Sequence, residues 1–233
     1  MPLTSGIKRF DALLGGLEVG DLVLLEGDIS ASSFSHLLSV RSQLPAEEGG
    51  LGSTVIWLDG GNTFNPYSIT EFSKGLGLDP ERVLKGIYLS RAFTCYQMSS
   101  LVLEKLWGGV EKFRSRLVVI SDLPSLYIWS DIPGKGAAKA FGPVIEELRS
   151  SPKRKKVLIL TTGLEHPPAG QGTRIPEILA SNADIVLRMQ ERKGGVGLEL
   201  KKHPSGKAGK VILGAGVLGV VTLDELAGGA VDG

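Results

Sequence analysis

One cysteine in 233 residues, Cys95, leaves no partner for an internal disulfide and too few thiols for an all-cysteine metal centre. That scarcity fits a reducing compartment, and Cys95 reads as a small buried apolar residue. Histidine is nearly as rare. His36, His166 and His203 stand far apart, without the carboxylate or cysteine spacing of a metal site, so no metal is expected. Charge of one sign is also missing: 26 Lys and Arg against 25 Asp and Glu leave a net charge of +1. No global field draws the chain to nucleic acid, and any such contact has to come from a local patch. No apolar run reaches membrane-spanning length, and residues 1–20 mix Lys8, Arg9, Asp11 and Glu18 with glycines instead of forming an apolar secretion segment. A cytoplasmic protein without membrane association is the expectation.

What is present is ordinary for a folded domain, with 42% hydrophobic and 22% charged residues. The length suits one core over residues 1–226, followed by a frayed tail over 227–233. Short apolar or β-branched runs at 22–25, 54–58, 117–120 and 157–162 suit strands buried on both faces. Helical stretches are expected at 34–41, 68–76, 98–113 and 142–148, with a further helical turn at 80–84. In the third, Leu101, Val102, Leu103, Leu106 and Val110 are read as the apolar stripe. Alternation of strand and helix predicts an α/β fold with a mainly parallel twisted sheet flanked by helices. Runs at 185–189, 198–202, 210–213 and 217–221 follow one another across glycine-rich turns, which predicts a C-terminal antiparallel extension. Trp57, Trp107, Trp129, Phe64 and Phe93 read as core or interface residues.

Two longer patterns carry a resemblance. The opening Thr4-Ser5-Gly6-Ile7-Lys8-Arg9-Phe10-Asp11-Ala12-Leu13-Leu14-Gly15-Gly16-Leu17, then Gly20-Asp21-Leu22-Val23-Leu24-Leu25-Glu26-Gly27, resembles the entry to the ATPase core of the RecA/RadA/KaiC superfamily. Trp57-Leu58-Asp59, Thr63-Phe64-Asn65-Pro66, the segment from Leu76 to Leu84, and Ile87 to Phe93 are similar to its archaeal RadA branch in order and spacing. The resemblance implies a RecA-like P-loop NTPase core, with 117–120 as the Walker B strand and 157–162 as the strand before a second DNA-binding loop. The helix-hairpin-helix domain and polymerisation linker of the family are not found before Gly6, so the core alone is expected.

Where such a core should cradle phosphate, the residues depart from the pattern. A loop of the form G-x-x-x-x-G-K-[ST] closes backbone N–H groups around phosphate, adds a lysine charge and holds magnesium through a hydroxyl. Here the loop reads Gly27-Asp28-Ile29-Ser30-Ala31-Ser32-Ser33-Phe34. Ser32 replaces the second glycine, Ser33 the lysine and Phe34 the hydroxyl residue, while Asp28 adds repulsion. The resemblance places a catalytic glutamate two residues after Asp59, where this chain has Gly61, which can neither orient nor deprotonate a water. It places the Walker B aspartate at Ser121, with Asp122 one residue late and expected on the opposite face of the strand. The family's polar sensor is replaced by Thr162-Gly163. No cofactor is expected, with weak ATP binding through Ser30, Ser32 and Ser35 left open.

The resemblance also marks two loops as DNA-binding candidates: one with Lys135 and Lys139, the other with His166 and Arg174. The stretch Lys201-Lys202-His203-Pro204-Ser205-Gly206-Lys207 resembles a basic hairpin near the family's ATP cap, which adds Lys202 and Lys207. The basic run 153–156 reads as a solvated turn. The expected function is that of a non-catalytic recombinase paralogue. It would act as an accessory factor in homologous recombination and DNA repair, pairing with an active RecA/RadA-type recombinase or with itself, and contacting single-stranded DNA. A divergent KaiC-like ATPase or signalling protein and a DNA-independent scaffold are the alternatives.

Overall fold

The computed structural model describes residues 1–27, 29–130, 134–163, 174–193 and 195–214. In chain order the elements are α1 (Lys8–Leu14), β1 (Leu22–Gly27), α2 (Ile29–Arg41), β2 (Val55–Asp59), α3 (Pro66–Gly75), α4 (Pro80–Lys85), β3 (Ile87–Arg91), α5 (Cys95–Ser100), α6 (Leu106–Phe113), β4 (Leu117–Ser121), α7 (Ser125–Ile128), α8 (Gly134–Lys155), β5 (Leu158–Gly163), α9 (Ile175–Asn182), β6 (Ile185–Arg192), β7 (Gly195–Lys202) and β8 (Gly209–Gly214). The strands form one sheet in the order β3-β2-β4-β5-β1-β6-β7-β8. Pairing is parallel from β3 to β6, whereas β7 and β8 add on antiparallel, as the sequence predicts. The expected strand at 217–221 and the tail at 227–233 lie outside the described residues.

Successive strand residues point to opposite faces, and because both faces are covered the strands read as unbroken apolar runs. Leu22, Leu24, Ile56, Leu58, Val118, Ile120 and Ile159 meet α5, α6 and α8 on one side. Val23, Leu25, Val55, Trp57, Val119, Leu158 and Leu160 meet α1 and α2 on the other. Caps set several helix starts. The Asn65 side chain accepts from Tyr67 N and Ser68 N ahead of Pro66, and Asp79 accepts from Glu81 N ahead of Pro80. The latter begins α4, where a helical turn was expected.

Three expectations on the elements change. β3 is an additional strand at the sheet edge, where its residues are half-buried or exposed and carry a weak apolar signal. α8 runs well beyond 142–148 in both directions despite Pro143 and Pro152, because Ala137, Phe141, Val144 and Leu148 are fully buried. The apolar stripe between α5 and α6 is Met98, Val102, Leu106 and Val110, whereas Leu103 is exposed. Three consecutive residues cannot share one helical face, and the π-helical turn Leu101–Lys105 keeps a four-residue spacing on the core side. Among the described residues, no helix is long and apolar enough to cross a membrane.

Candidate functional site

A cavity of about 640 Å³ opens where β1, β4 and β5 end, lined by Gly27, Ile29, Ala31, Ser32, residues 62–67, Asp122, Thr162 and Gly163. This is the crevice at the carboxyl ends of strands where open α/β sheets bind ligands. Helix α2 starts at Ile29, five residues ahead of the expected 34, so most of the segment read as a loop is helix. Within a helix, N–H groups beyond the first four are bonded to carbonyls one turn back. From Ser33 onward they face no ligand. Asp28 lies outside the described residues. Gly27 has φ 152°, and a Cβ there would run into the Met189 carbonyl of β6, so the glycine serves the close approach of two strands.

The serines and Phe34 divide between core and cavity. Phe34 is fully buried, its ring 4.7 Å from that of Phe10 and edge-on to it. Ser30 and Ser35 are also fully buried, and the Ser35 hydroxyl donates to Ala31 O at 2.9 Å, so both lie in the core and not in the cavity lining, where donation to a nucleotide had been left open. Ser33 is half-buried. Ser32 lines the cavity with its Oγ buried and unpartnered, and the Thr63 hydroxyl is in the same condition.

Asp59 is 1% exposed and serves structure. Its Oδ1 accepts from Ser121 Oγ at 2.7 Å and Thr63 N at 2.9 Å, its Oδ2 accepts from Phe64 N at 3.3 Å, and Arg91 Nε lies 3.5 Å away. These contacts fold residues 60–64 back onto the sheet. Ser121 sits opposite Asp59 in the β2–β4 register, where it stays within the strand. Ser121→Ala removes a donor from a buried carboxylate and the Ser121 Oγ contact of Trp57 Nε1 at 3.4 Å. The expected result is a loss of about 2 kcal/mol in urea unfolding, within the cost of stranding a buried polar group.

Asp122 corrects the expected change of face. The strand stops at Ser121, and Asp122 has φ 50°, so strand alternation no longer governs its direction. Its N–H donates to Thr162 Oγ1 at 2.9 Å, and its Oδ1 accepts from Ser125 Oγ at 2.5 Å. The carboxylate enters the cavity at the place a side chain on residue 61 would take: a Cβ on Gly61 would come within 2.7 Å of Asp122 Cβ and 2.9 Å of Oδ2. Burial pushes its carboxyl up, the Ser125 hydrogen bond acts against this, and the Asp59 charge adds to the rise. Ile29, Thr63, Phe64 and Tyr67 were also not foreseen at this site. The only signal for them was their closeness in sequence to Gly27 and Asp59.

The expected DNA-binding residues do not form one group. Lys139 is exposed on α8 and Arg174 is exposed at the start of α9, so both sit on helices that follow the carboxyl ends of β4 and β5. Lys139 is therefore helical, where a glycine-rich loop was expected. The Lys135 side chain and His166 lie outside the described residues. Lys202 ends β7, and Lys207 lies in the β7–β8 connection. Because β7 runs antiparallel, its end pairs with Val186 at the start of β6, away from the cleft beside Gly27. The turn is exposed and lies away from this chain's own cleft. Lys202 Nζ instead donates to Ser181 O at 2.8 Å at the carboxyl end of α9, and Lys207 Nζ lies near Gly15 after α1. The basic run is on surface contacts, with Lys153 near Asp184 and Lys155 2.7 Å from Glu111. A second cavity of about 430 Å³ beside the first is bordered by Phe93, Tyr96 and Trp129, which are 72%, 69% and 56% exposed. Phe93 and Trp129 are thus surface aromatics, outside the core.

Residues 1–142 match the family model described as Rad51. The chain belongs to the Rad51 family. Over 136 residues it is 33% identical to the DNA repair and recombination protein RadA of Aeropyrum pernix, across 57% of this chain and 42% of that protein. It spans less than half of that relative's length. The Rad51 match takes in β1, α2, Asp59, Gly61, Ser121 and Asp122, and so covers most of the cleft. Arg174, Lys202 and Lys207 lie beyond the matched residues.

Proposed function

We propose that this Rad51-family chain is a non-catalytic accessory protein of homologous recombination and DNA repair. It acts on an active RecA/RadA-type recombinase and meets single-stranded DNA beside that partner. The observation that carries the reading is the start of α2 at Ile29, which puts helix where a phosphate loop would close. The cavity lining does not fit a magnesium triphosphate: among the described residues it contains no lysine or arginine, Phe34 is turned into the core, and the one charged group lining it is the Asp122 carboxylate. With Gly61 in the place of a catalytic glutamate and Asp59 engaged in four polar contacts, neither of these two positions supplies a group to activate water against a phosphoryl group. The exposed rings of Phe93, Tyr96 and Trp129 offer stacking surfaces for unpaired bases, and Lys139 and Arg174 are exposed on the segments that follow β4 and β5.

Calorimetric titration with MgATP and a turnover assay test the catalytic half, and the expected result is neither saturable binding nor hydrolysis. Single-stranded DNA binding, measured with an archaeal RadA-type recombinase present and absent across a salt series, tests the other half. A salt-sensitive change in DNA binding on adding this chain is expected. ATP turnover above background, or no effect on the recombinase at any salt concentration, overturns the proposal.

A further inference from the structure

The cavity at the end of β1 has a donor and acceptor balance opposite to that of a phosphate site. Among the described residues, Asp122 is the only charged one in its lining, and no basic side chain pairs with it. Oδ1 is held by Ser125, while Oδ2 faces the space left by Gly61. Two further oxygens, Ser32 Oγ and Thr63 Oγ1, are buried there without a hydrogen-bond partner. Buried polar groups of this kind call for an occupant. The first turn of α2 would by itself favour an anion, and the Asp122 carboxylate is the anion already present in the same cavity. Two aromatic rings add to the walls: Phe64 is half-buried against Trp57, and Tyr67 is 79% exposed.

A group with several N–H donors, no acceptor and a planar delocalised charge meets all of these features at once. We propose that the cavity binds a planar cation of the guanidinium or amidinium class, paired with the Asp122 carboxylate, donating to Ser32 Oγ and Thr63 Oγ1, and stacked on Phe64 or Tyr67. The cation comes from an arginine of a partner polypeptide or from a free small molecule of the same chemistry. A compact ammonium ion satisfies the carboxylate but cannot stack its charge over the aromatic wall in the same way. The inference rests on the reading that the site has lost its phosphate chemistry.

The test titrates the full chain with benzamidine, followed by calorimetry and by amide chemical shifts of residues 61–67. Saturable binding is expected, with n-butylamine weaker. Asp122→Asn should weaken benzamidine by about tenfold or more, the loss of a charge-assisted pair. Tyr67→Ala, a change at an exposed position that leaves folding intact, should weaken it severalfold. Arginine methyl ester compared with a tripeptide bearing a central arginine separates the sources: tighter binding of the peptide assigns a polypeptide partner, and equal binding assigns a small molecule. Absence of saturable benzamidine binding, or equal affinity in Asp122→Asn, overturns the inference. If MgATP is also not bound, the functional reading survives that failure. Saturable MgATP binding defeats both.

Discussion

Phe34→Ala is expected to lower the unfolding free energy by about 3–5 kcal/mol, the usual cost of emptying a buried phenylalanine site. In a family whose phosphate-loop helix would offer a small hydroxyl residue at this position, the chain carries a ring that is fully buried and edge-on to Phe10 at 4.7 Å. Around it lie Leu14, Leu25, Leu38 and Met189 of the same core. Urea denaturation should show a lower midpoint with an unchanged slope, which marks a change in stability alone. The expected consequence for motif repair is concrete. Ser33→Lys is tolerated because Ser33 is half-buried, whereas Phe34→Thr adds an unpartnered hydroxyl to the cavity it creates. The double substitution should therefore be less stable than the parent and still show no saturable MgATP binding. A loss below about 1 kcal/mol for Phe34→Ala would contradict the buried placement.

Acidification should remove about 3 kcal/mol of stability between pH 6.5 and pH 4 through His36 alone. The imidazole is 2% exposed and stacked on Trp57 at 4.7 Å, with Phe64 at 5.9 Å. Its Nε2 accepts from Asn65 N at 2.9 Å, which requires the neutral ring. Burial pushes the group down from 6.5 to about 4. The Ser32 backbone, outside the geometry of a formed hydrogen bond to Nδ1, and the negative charge of Asp59 act against that shift without cancelling it. Between the two values the unfolded chain binds a proton that the folded chain refuses. The contribution is thus complete above pH 6.5 and is lost as the pH falls towards 4. Asp21 and Asp122, both pushed up by burial, work in the opposite sense at the acid end of this range. The difference between the parent and His36→Phe in urea titrations isolates the histidine. An acid limb of equal slope in both proteins would remove the assignment.

Much of the fold was legible because the parallel strands are covered on both faces, and that burial leaves unbroken apolar runs such as 22–25 and 117–120. β3 was harder to see: at the edge, Leu89 and its neighbours face solvent, so burial leaves little mark on the sequence. The extent of α8 was hidden for a different reason. Pro143, Pro152 and three early glycines oppose a helix locally, and only the buried face through Phe141 and Leu148 outweighs them. The placement of Lys202 and Lys207 relative to the cleft is a matter of topology. A hairpin on an antiparallel addition returns to the opposite end of the sheet, a fact of strand direction that residue type cannot supply.

At the candidate site, sequence alone determined which residue types are present: no lysine at 33, no hydroxyl at 34, no carboxylate at 61 and a serine at 121, since chemical identity needs no coordinates. Tertiary structure decided where the remaining groups point. Strand order placed the ends of β1, β4 and β5 around one cavity, the buried anchoring of Phe34 accompanied an early start to α2, and the left-handed turn at Asp122 sent its carboxylate into the space above Gly61. Those outcomes depend on packing and backbone direction between segments far apart in the chain, such as Val23 and Thr161 with a sequence separation of 138, which no local pattern encodes.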